Sequence, residues 1–581
     1  MAPSQPIQAM DVTSLRAVVT ELQPHILPSR FEKAQQPDAQ TVQLALRGLE
    51  GTTWLSLSWQ AEAPRLLAIS HPPVQGEGST MAQQLRHGLK GLALVSLEQH
   101  GYERVVELIF AQRPGEPPLR FLVLELMGRH SNLFLLDERR QVVTLARQVG
   151  KGLSRLRPIA TGDSYRSPPP MAGDVPCANQ GQAAWRRRLV LLPLPLSRAL
   201  MEAYQGIGPA LARQLCHGVD IDPLTGCTIE TLPVREIREI QWNQLWDRWQ
   251  RWLGVWEQQS FTLAWGGPSD FRCWDGPPLA PNVGALPINR GLASYYCDRL
   301  AKRRLQQRRH ALTQTLQSAA GREERGIQRQ ELLLAAVPGG EGLQRRAHAL
   351  LSKPNPSRQQ IDEAQTLYRQ ARKLRRSSAA ITPRLELHQQ RLQWLNASLT
   401  YLEQADSQEQ LEVLAEELGD LLGSSSAGRR DGISSQQGRG RRQTAAQAPP
   451  RPLELRTDGG LRLQVGRNHR QNEWISLRQA RRGDLWFHAQ ECPGSHVVLK
   501  ASEGLPQDND LATAADLAAH FSRGRGNRRV PVVMVPIEDL QRIPGAGPGT
   551  VRHRGGTLLW GEPERALLRL PPSSLLAQDR P

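Results

Sequence analysis

Five leucines constrain this chain more than any other feature. Leu385, Leu392, Leu395, Leu399 and Leu402 follow one another at spacings of seven, three, four and three. An α-helix turns once in about 3.6 residues, so this rhythm lays the leucines in one seam that a second helix must cover. A matching seam lies upstream, where Leu305, Leu312, Leu316 and Ala319 are spaced seven, four and three apart. Two long polar helices, expected over 288–337 and 384–420, therefore pair as an antiparallel stalk. The intervening 338–383, from Pro338-Gly339-Gly340 to Thr382-Pro383, forms its tip. A two-helix stalk has no globular core, so the remainder of a 581-residue chain must fold as separate domains.

The predicted fold class is α+β and multidomain. Residues 1–175 alternate short apolar segments with turns, as in Trp54–Trp59, Arg104–Phe110 and Phe121–Leu126, the pattern of an antiparallel sheet. An opening helix over Asp11–Leu22 places Val12, Leu15, Val18, Val19 and Leu22 on one face. Residues 176–287 are helical and rich in tryptophan, and they contain Gln205-Gly206-Ile207-Gly208-Pro209 running into Ala210–Leu215. A tight glycine turn that opens into a helix is the hairpin of a helix-hairpin-helix. Gly206 and Gly208 there would let backbone N–H groups approach a phosphate; an ordinary helix connection reads equally well. The stalk with its tip insert occupies 288–422, and 423–452 is a flexible basic linker.

The last domain spans 453–567, with a loose tail at 568–581. Leu453 and Leu455, then Asp458-Gly459-Gly460, then Leu461, Leu463 and Val465 spell a hairpin. Strands are expected at Asp484–Ala489, His496–Leu499 and Val530–Val535, with an amphipathic helix over Leu511–Ser522. Arg523, Arg525, Arg528 and Arg529 follow that helix. Trp486, His488, Ser495 and His496 suggest a patch that stacks the bases of a nucleic acid, beside Arg523 and Arg525.

Charge points the same way. Lys and Arg number 73 against 56 acidic residues, a formal net charge of +17, and nearly all of the cation is Arg. A planar guanidinium fork suits phosphate, so a polyanionic partner is expected. The runs Lys302-Arg303-Arg304, Arg308-Arg309 and Arg369–Arg376 place that charge on the stalk. Cys177, Cys216, Cys227, Cys273, Cys297 and Cys492 show no C-x-x-C spacing, so neither a zinc site nor a disulfide framework is expected. Met1–Gln5 has no basic segment leading into an apolar run, and Leu189–Leu196 is too short to span a bilayer. A cytoplasmic protein without membrane contact is the expectation.

Several blocks in order resemble one family. Gly466-Arg467-Asn468, Gln471-Asn472-Glu473, Asp484–Ala489, Pro493–Val498, Val530-Pro531-Val532 and Gly545–Gly549 are similar to the RNA-binding domain of NFACT proteins. Glu125–Asn132 resembles part of their N-terminal domain, and a hairpin and two helical arms follow as in that family. The resemblance to RqcH-type members implies a ribosome quality-control factor. It would bind large subunits still holding peptidyl-tRNA, recruit alanyl-tRNA, and promote template-free alanine tailing beside a small RqcP-like RNA-binding protein. It would act as a monomer on the ribosome, which itself forms the peptide bond, so no catalytic residue, cofactor or metal is expected. The family's tRNA-handling residues fall on Asp11 and on Glu103-Arg104, where Glu stands in place of the family's Asp. The added methylene moves the carboxylate by roughly an ångström, a scale at which positioning matters.

Other classes fit less well. A DNA glycosylase of the formamidopyrimidine type needs a terminal proline amine and a four-cysteine zinc finger, whereas Ala2 follows Met1 and no cysteines pair. A surface adhesin needs an export signal. A ribosome-binding scaffold that does not tail differs only in what the Glu103-Arg104 pair can do.

Overall fold

The structure, a computed structural model, describes residues 6–570 apart from 74–79, 151–156, 170–172, 192, 220–227, 268–269, 278–284, 336, 427–448 and 544–546. Most of the expected linker, the far tail, Cys227, Gly545 and Met1–Gln5 lie outside the described residues. The chain parts into two compact units, Met1–Ala301 and Lys302–Pro581.

The first unit opens with α1 (Val12–Ile26), then β1 (Ser29–Asp38), β2 (Thr41–Gly48), β3 (Gly51–Ser58), β4 (Arg65–Ile69), α2 (Thr80–Leu89), β5 (Ala93–Gln99), β6 (Val105–Ala111), β7 (Arg120–Glu125), β8 (Asn132–Leu136) and β9 (Val142–Leu145). The nine strands form one sheet in the order β4-β3-β2-β1-β5-β6-β7-β8-β9, antiparallel throughout. α1 lays Leu15, Val18, Val19, Leu22 and Ile26 into the main core with Val106, Leu108 and Phe110 of β6. On the opposite face Val105, Val123 and Phe134 enter a second cluster with Ile159 and Tyr165. Strands covered on both faces explain why Phe121–Leu126 is apolar at nearly every position. Val12 departs from the expected face, because the start of α1 packs against the helical layer instead.

That layer holds α3 (Gln182–Val190), α4 (Leu196–Ala203), α5 (Pro209–Cys216) and α6 (Glu239–Gln258), followed by the short β10 (Ala264–Trp265) and β11 (Phe271–Arg272). α4 and α5 flank the glycine turn, as the hairpin requires. In α6, Trp242, Trp246, Trp249, Trp252 and Trp256 recur at spacings of four, three, three and four, which is one helical face. Trp242, Trp249 and Trp252 are fully buried against Trp185 and Tyr204. Each such ring contributes about 4 to 6 kcal/mol as an upper estimate.

α7 (Pro287–Ala335) begins in this unit and continues into the second, which holds α8 (Gly339–Leu351), α9 (Arg358–Gln404) and α10 (Gln408–Ser426). The stalk runs antiparallel: Glu323 meets His388 at 2.6 Å, and Arg308 donates to Glu412 at 2.7 and 3.1 Å. Leu312, Leu316 and Ala319 of α7 share a core with Leu395 and Leu402 of α9. Leu305, Leu392 and Leu399 lie at its margin, whereas Leu385 is half-buried and outside it. Two boundaries differ from the sequence reading. The second arm does not start at 384, because α9 runs through Pro383 from Arg358. Ala364, Leu367 and Ala371 on one side of that proline and the seam on the other are buried. This packing outweighs the roughly 3 kcal/mol that an interior proline costs. The tip is accordingly a helical hairpin in which α8 packs on the first turns of α9, with Ala347 against Ala364 and Leu367. The arm also breaks at Ala405, and α10 returns Leu411, Leu414 and Leu418 to the same core.

The C-terminal domain comprises β12 (Leu453–Arg456), β13 (Arg462–Val465), α11 (His469–Glu473), β14 (Leu485–Ala489), β15 (Val497–Leu499), α12 (Asp508–His520), β16 (Val530–Pro536), β17 (Leu540–Arg542), β18 (Val551–His553), β19 (Thr557–Gly561) and α13 (Pro563–Ala566). Its six-stranded sheet is ordered β12-β13-β15-β14-β16-β19, and β17 pairs with β18 in a separate ribbon. α12 covers one face through Ala514, Leu517 and Ala518. The turns after α11 and the β17–β18 ribbon cover much of the other through Ile475, Leu540 and Val551. The domain is keyed to the stalk: the His469 ring stacks on Trp394 at 4.3 Å, with its Nε2 2.9 Å from Ser398 Oγ. Tyr401 accepts from Asn472 at 2.7 Å and donates to the Gly494 carbonyl at 3.0 Å.

Candidate nucleic-acid interface

The first unit brings Asp11, Glu103 and Arg104 together. Asp11 caps α1, its Oδ1 accepting from the backbone N–H and the hydroxyl of Ser14, both at 2.7 Å. Burial raises its carboxyl, while the Ser14 bonds and the charge of Arg104 pull it back. Arg104, half-buried at the mouth of β6, is lowered by burial, and Asp11 and Glu103 oppose that shift. Glu103 Oε1 is buried and accepts no hydrogen bond among the described residues. The charges of Asp11 and Glu103 thus act on the Arg104 guanidinium in a partly desolvated site, where the guanidinium can take a phosphate and a carboxylate a base amine.

Long-range contacts hold this site in place. Gln99 Nε2 donates to the Glu103 carbonyl at 2.8 Å and the Val12 carbonyl at 3.3 Å, tying the turn to α1. Tyr102 stacks on Trp256 with ring centroids 4.5 Å apart. Its phenol is pushed up to about 12 by burial. Arg16 places its guanidinium 4.7 Å from the Trp256 ring and donates to the Gly101 carbonyl at 3.0 Å. Gly206 closes the group: its φ is +77°, and a Cβ there would lie 2.8 Å from Tyr102 and 3.3 Å from Val12. Its freedom serves a close approach to Tyr102, whereas Gly208, N-cap of α5, faces open space. Arg16, Tyr102 and Trp256 escaped the sequence reading, because nothing local links one helix, one turn and a tryptophan far downstream.

The buried thiols are not reactive groups, since burial pushes Cys216 and Cys273 up. Among the described residues no three His, Cys, Asp or Glu side chains are grouped to hold a metal ion. No helix among them is long and apolar enough to cross a membrane.

In the second unit Arg523 and Arg525 are exposed on a short turn after α12, with Arg528 and Arg529 beside them. Arg529 pairs with Glu562 at 3.0 Å. The stalk offers Arg369, Arg372, Lys373 and Arg376 on its surface, whereas Arg308 and Arg309 turn inward to Glu412 and the Ala405 carbonyl.

Residues 11–354 and 353–430 match the NFACT N-terminal and middle domains, and 454–555 match the NFACT protein RNA binding domain. The chain belongs to the NFACT family. Among similar NFACT proteins, the Rqc2 homolog RqcH of Streptococcus pneumoniae is 25% identical over 95% of this chain and 97% of its own length. The Rqc2 homolog RqcH of Bacillus subtilis is 22% identical over 92% and 94%. The solved C-terminal part of the fibronectin/fibrinogen-binding protein of Streptococcus suis aligns at 26% identity, covering 46% of this chain and 99% of that chain, with a TM-score of 0.37.

Within the NFACT RNA-binding domain, the expected aromatic patch needs correction. Trp486, Ser495 and His496 are buried and do not present a face to a base; His488 is half-buried. β14 and β15 are central strands with cover on both faces, so alternation moves a side chain from one interior to another. Trp486 stacks against His488 at 5.5 Å and meets the His496 edge at 5.0 Å. Other signature residues are architectural too. Burial raises the Asp484 carboxyl, but N–H donors from Arg481 and Ser502, the Ser502 hydroxyl and Lys500 hold it below the usual range. Asn472 accepts from the His496 N–H at 3.1 Å while donating to Tyr401. Arg523 and Arg525 alone of the six expected contacts are fully at the surface.

Proposed function

We propose that this NFACT protein is a cytoplasmic ribosome quality-control factor that binds large subunits holding peptidyl-tRNA, recruits tRNA, and promotes template-free alanine tailing. The observation that carries the reading is the meeting of Asp11, Glu103 and Arg104 at one half-buried site in a chain that also bears an RNA-binding domain. In this reading Arg104 engages a phosphate or stacks on a base, and the free oxygen of Glu103 accepts from a base amine. The exposed arginines of α9 and those after α12 hold ribosomal RNA. An RqcP-like protein steadies the peptidyl-tRNA, the protein acts as a monomer, and the ribosome makes the peptide bond without a cofactor from this chain. A scaffold that binds but does not tail is the second reading, favoured by Glu in place of Asp at position 103.

Cosedimentation of the purified protein with large subunits, repeated across a series of salt concentrations, tests the ribosome-binding half. Phosphate contacts release counterions, so affinity is expected to fall about a hundredfold or more between low and near-physiological salt, linearly on logarithmic axes. No cosedimentation at low salt, or binding indifferent to salt, would contradict the reading.

A further inference from the structure

The outer face of β16 and β19 is left open beside the covered part of the same sheet. Register places His488 across from Val533 and Val533 across from Leu558, with Pro531 across from Trp560. Leu558 is 51% and Trp560 57% exposed, although both lie in a regular strand of the sheet. His488, Val533 and Pro531 beside them are half-buried. The strip is therefore apolar and aromatic, and it ends at β19, the edge strand of the sheet among the described residues.

Cations stand at both ends of the strip. Arg528 and Arg529 lead into β16, next to the row that holds Trp560, and are exposed. Arg552, His553 and Arg554 lead into β19 and are exposed as well. Gly556 draws that second group onto the face, with φ +128° and a Cβ position 2.7 Å from Val533. The nearest carboxylate along β19, Glu562, is already engaged by Arg529 and Arg565. An apolar protein partner would gain nothing from these arginines, of which Arg554 stands opposite the exposed Asp539. A nucleic-acid strand would gain at both levels, with bases on the rings and phosphates on the rim. β19 spans roughly 17 Å, a length over which a sheet face can stack two or three bases.

We infer that the outer face of β16 and β19 is a stacking platform for single-stranded RNA, with Trp560 carrying a base and Arg528, Arg552 and Arg554 meeting its backbone. This rests on the RNA-binding reading above and deepens it. Trp560 lies beyond 454–555, the stretch matched to the RNA-binding domain.

The test uses the full chain and two fluorescein-labelled probes, a short polyadenylate strand and an RNA duplex of equal length. Trp560→Ala is expected to weaken single-strand binding about fivefold or more while leaving duplex binding and the salt slope unchanged. Trp560→Phe keeps a ring and should stay within about twofold of wild type. An unchanged melting temperature in both variants confirms that a surface position was altered. Single-strand binding by Trp560→Ala equal to wild type, or equal loss in both variants, would overturn the platform. Failure of the wild-type chain to bind either probe would overturn the RNA-binding reading itself.

Discussion

Arg104→Ala is expected to abolish peptide tailing while leaving cosedimentation with large subunits within about twofold of wild type. The guanidinium is half-buried and within electrostatic reach of Asp11 and Glu103, so an incoming phosphate meets a donor partly stripped of water. A hydrogen-bonded contact to a charged group contributes about 1.5 to 3 kcal/mol, so tRNA affinity should fall roughly tenfold to a hundredfold. Arg104→Lys keeps the charge and loses the planar fork, and should recover only part of the loss. Removing Arg104 also takes away the cation whose charge acts on Asp11 and Glu103, so the double variant Glu103→Ala with Arg104→Ala is the cleaner probe. The readout is the length distribution of nascent chains in a reconstituted reaction, beside sedimentation of the same variants. Tailing by the double variant at the wild-type rate would remove these residues from the site.

The second large effect is loss of stability in mild acid, centred on the C-terminal domain. Burial pushes His469 down to about 3 and His488 down to about 4, and His496 lies well below its ordinary value. Groups facing them are the neutral Trp394, Ser398 and Tyr401 around His469, Trp486 beside His488 with the charge of His553 in reach, and Ser476 against His496, while His488 and His496 face each other at 5.4 Å. With folded values below 6.5, the unfolded chain binds more protons once the pH drops under 6.5. The stabilisation is therefore complete above that point and drains away as pH falls toward the folded values. Each histidine contributes a slope of up to about 1.4 kcal/mol per pH unit. Scanning calorimetry of the whole chain should show one transition moving down steeply between about pH 6.5 and 5, above the range where carboxylates such as Asp484 titrate. His469→Phe should flatten that dependence, since a ring on Trp394 survives without a proton site. A transition indifferent to pH in this window would contradict the burial of His469 and His496.

Periodicity made much of the fold legible. The seam leucines, the opening helix with Asp11 at its start and the Asp458-Gly459-Gly460 hairpin each carry their own local rhythm or turn chemistry. Pro383 misled because its cost is local while the packing that outweighs it comes from α8 on one side and α7 on the other. Trp486 and His496 misled for a related reason: alternation along a strand says which residues share a face, and gives no sign that the second face is also covered. The N-terminal site was legible only through family resemblance. Asp11, Arg104, Gly206 and Trp256 lie far apart in sequence, and their meeting depends on strand order and on the close approach at Tyr102. Trp560 was hidden in Leu558-Leu559-Trp560, a run that reads as core until the sheet edge is seen.

In this reading one protein engages two RNAs, with transfer RNA held through Arg104. The direct measurement is to purify the tagged protein from cells at near-physiological ionic strength and sequence the RNA that remains bound. Wild type should carry large-subunit ribosomal RNA together with transfer RNA enriched for alanine species, and Arg104→Ala should keep the former and lose the latter. Recovery of neither RNA with wild type, or of transfer RNA undiminished with the variant, would contradict it.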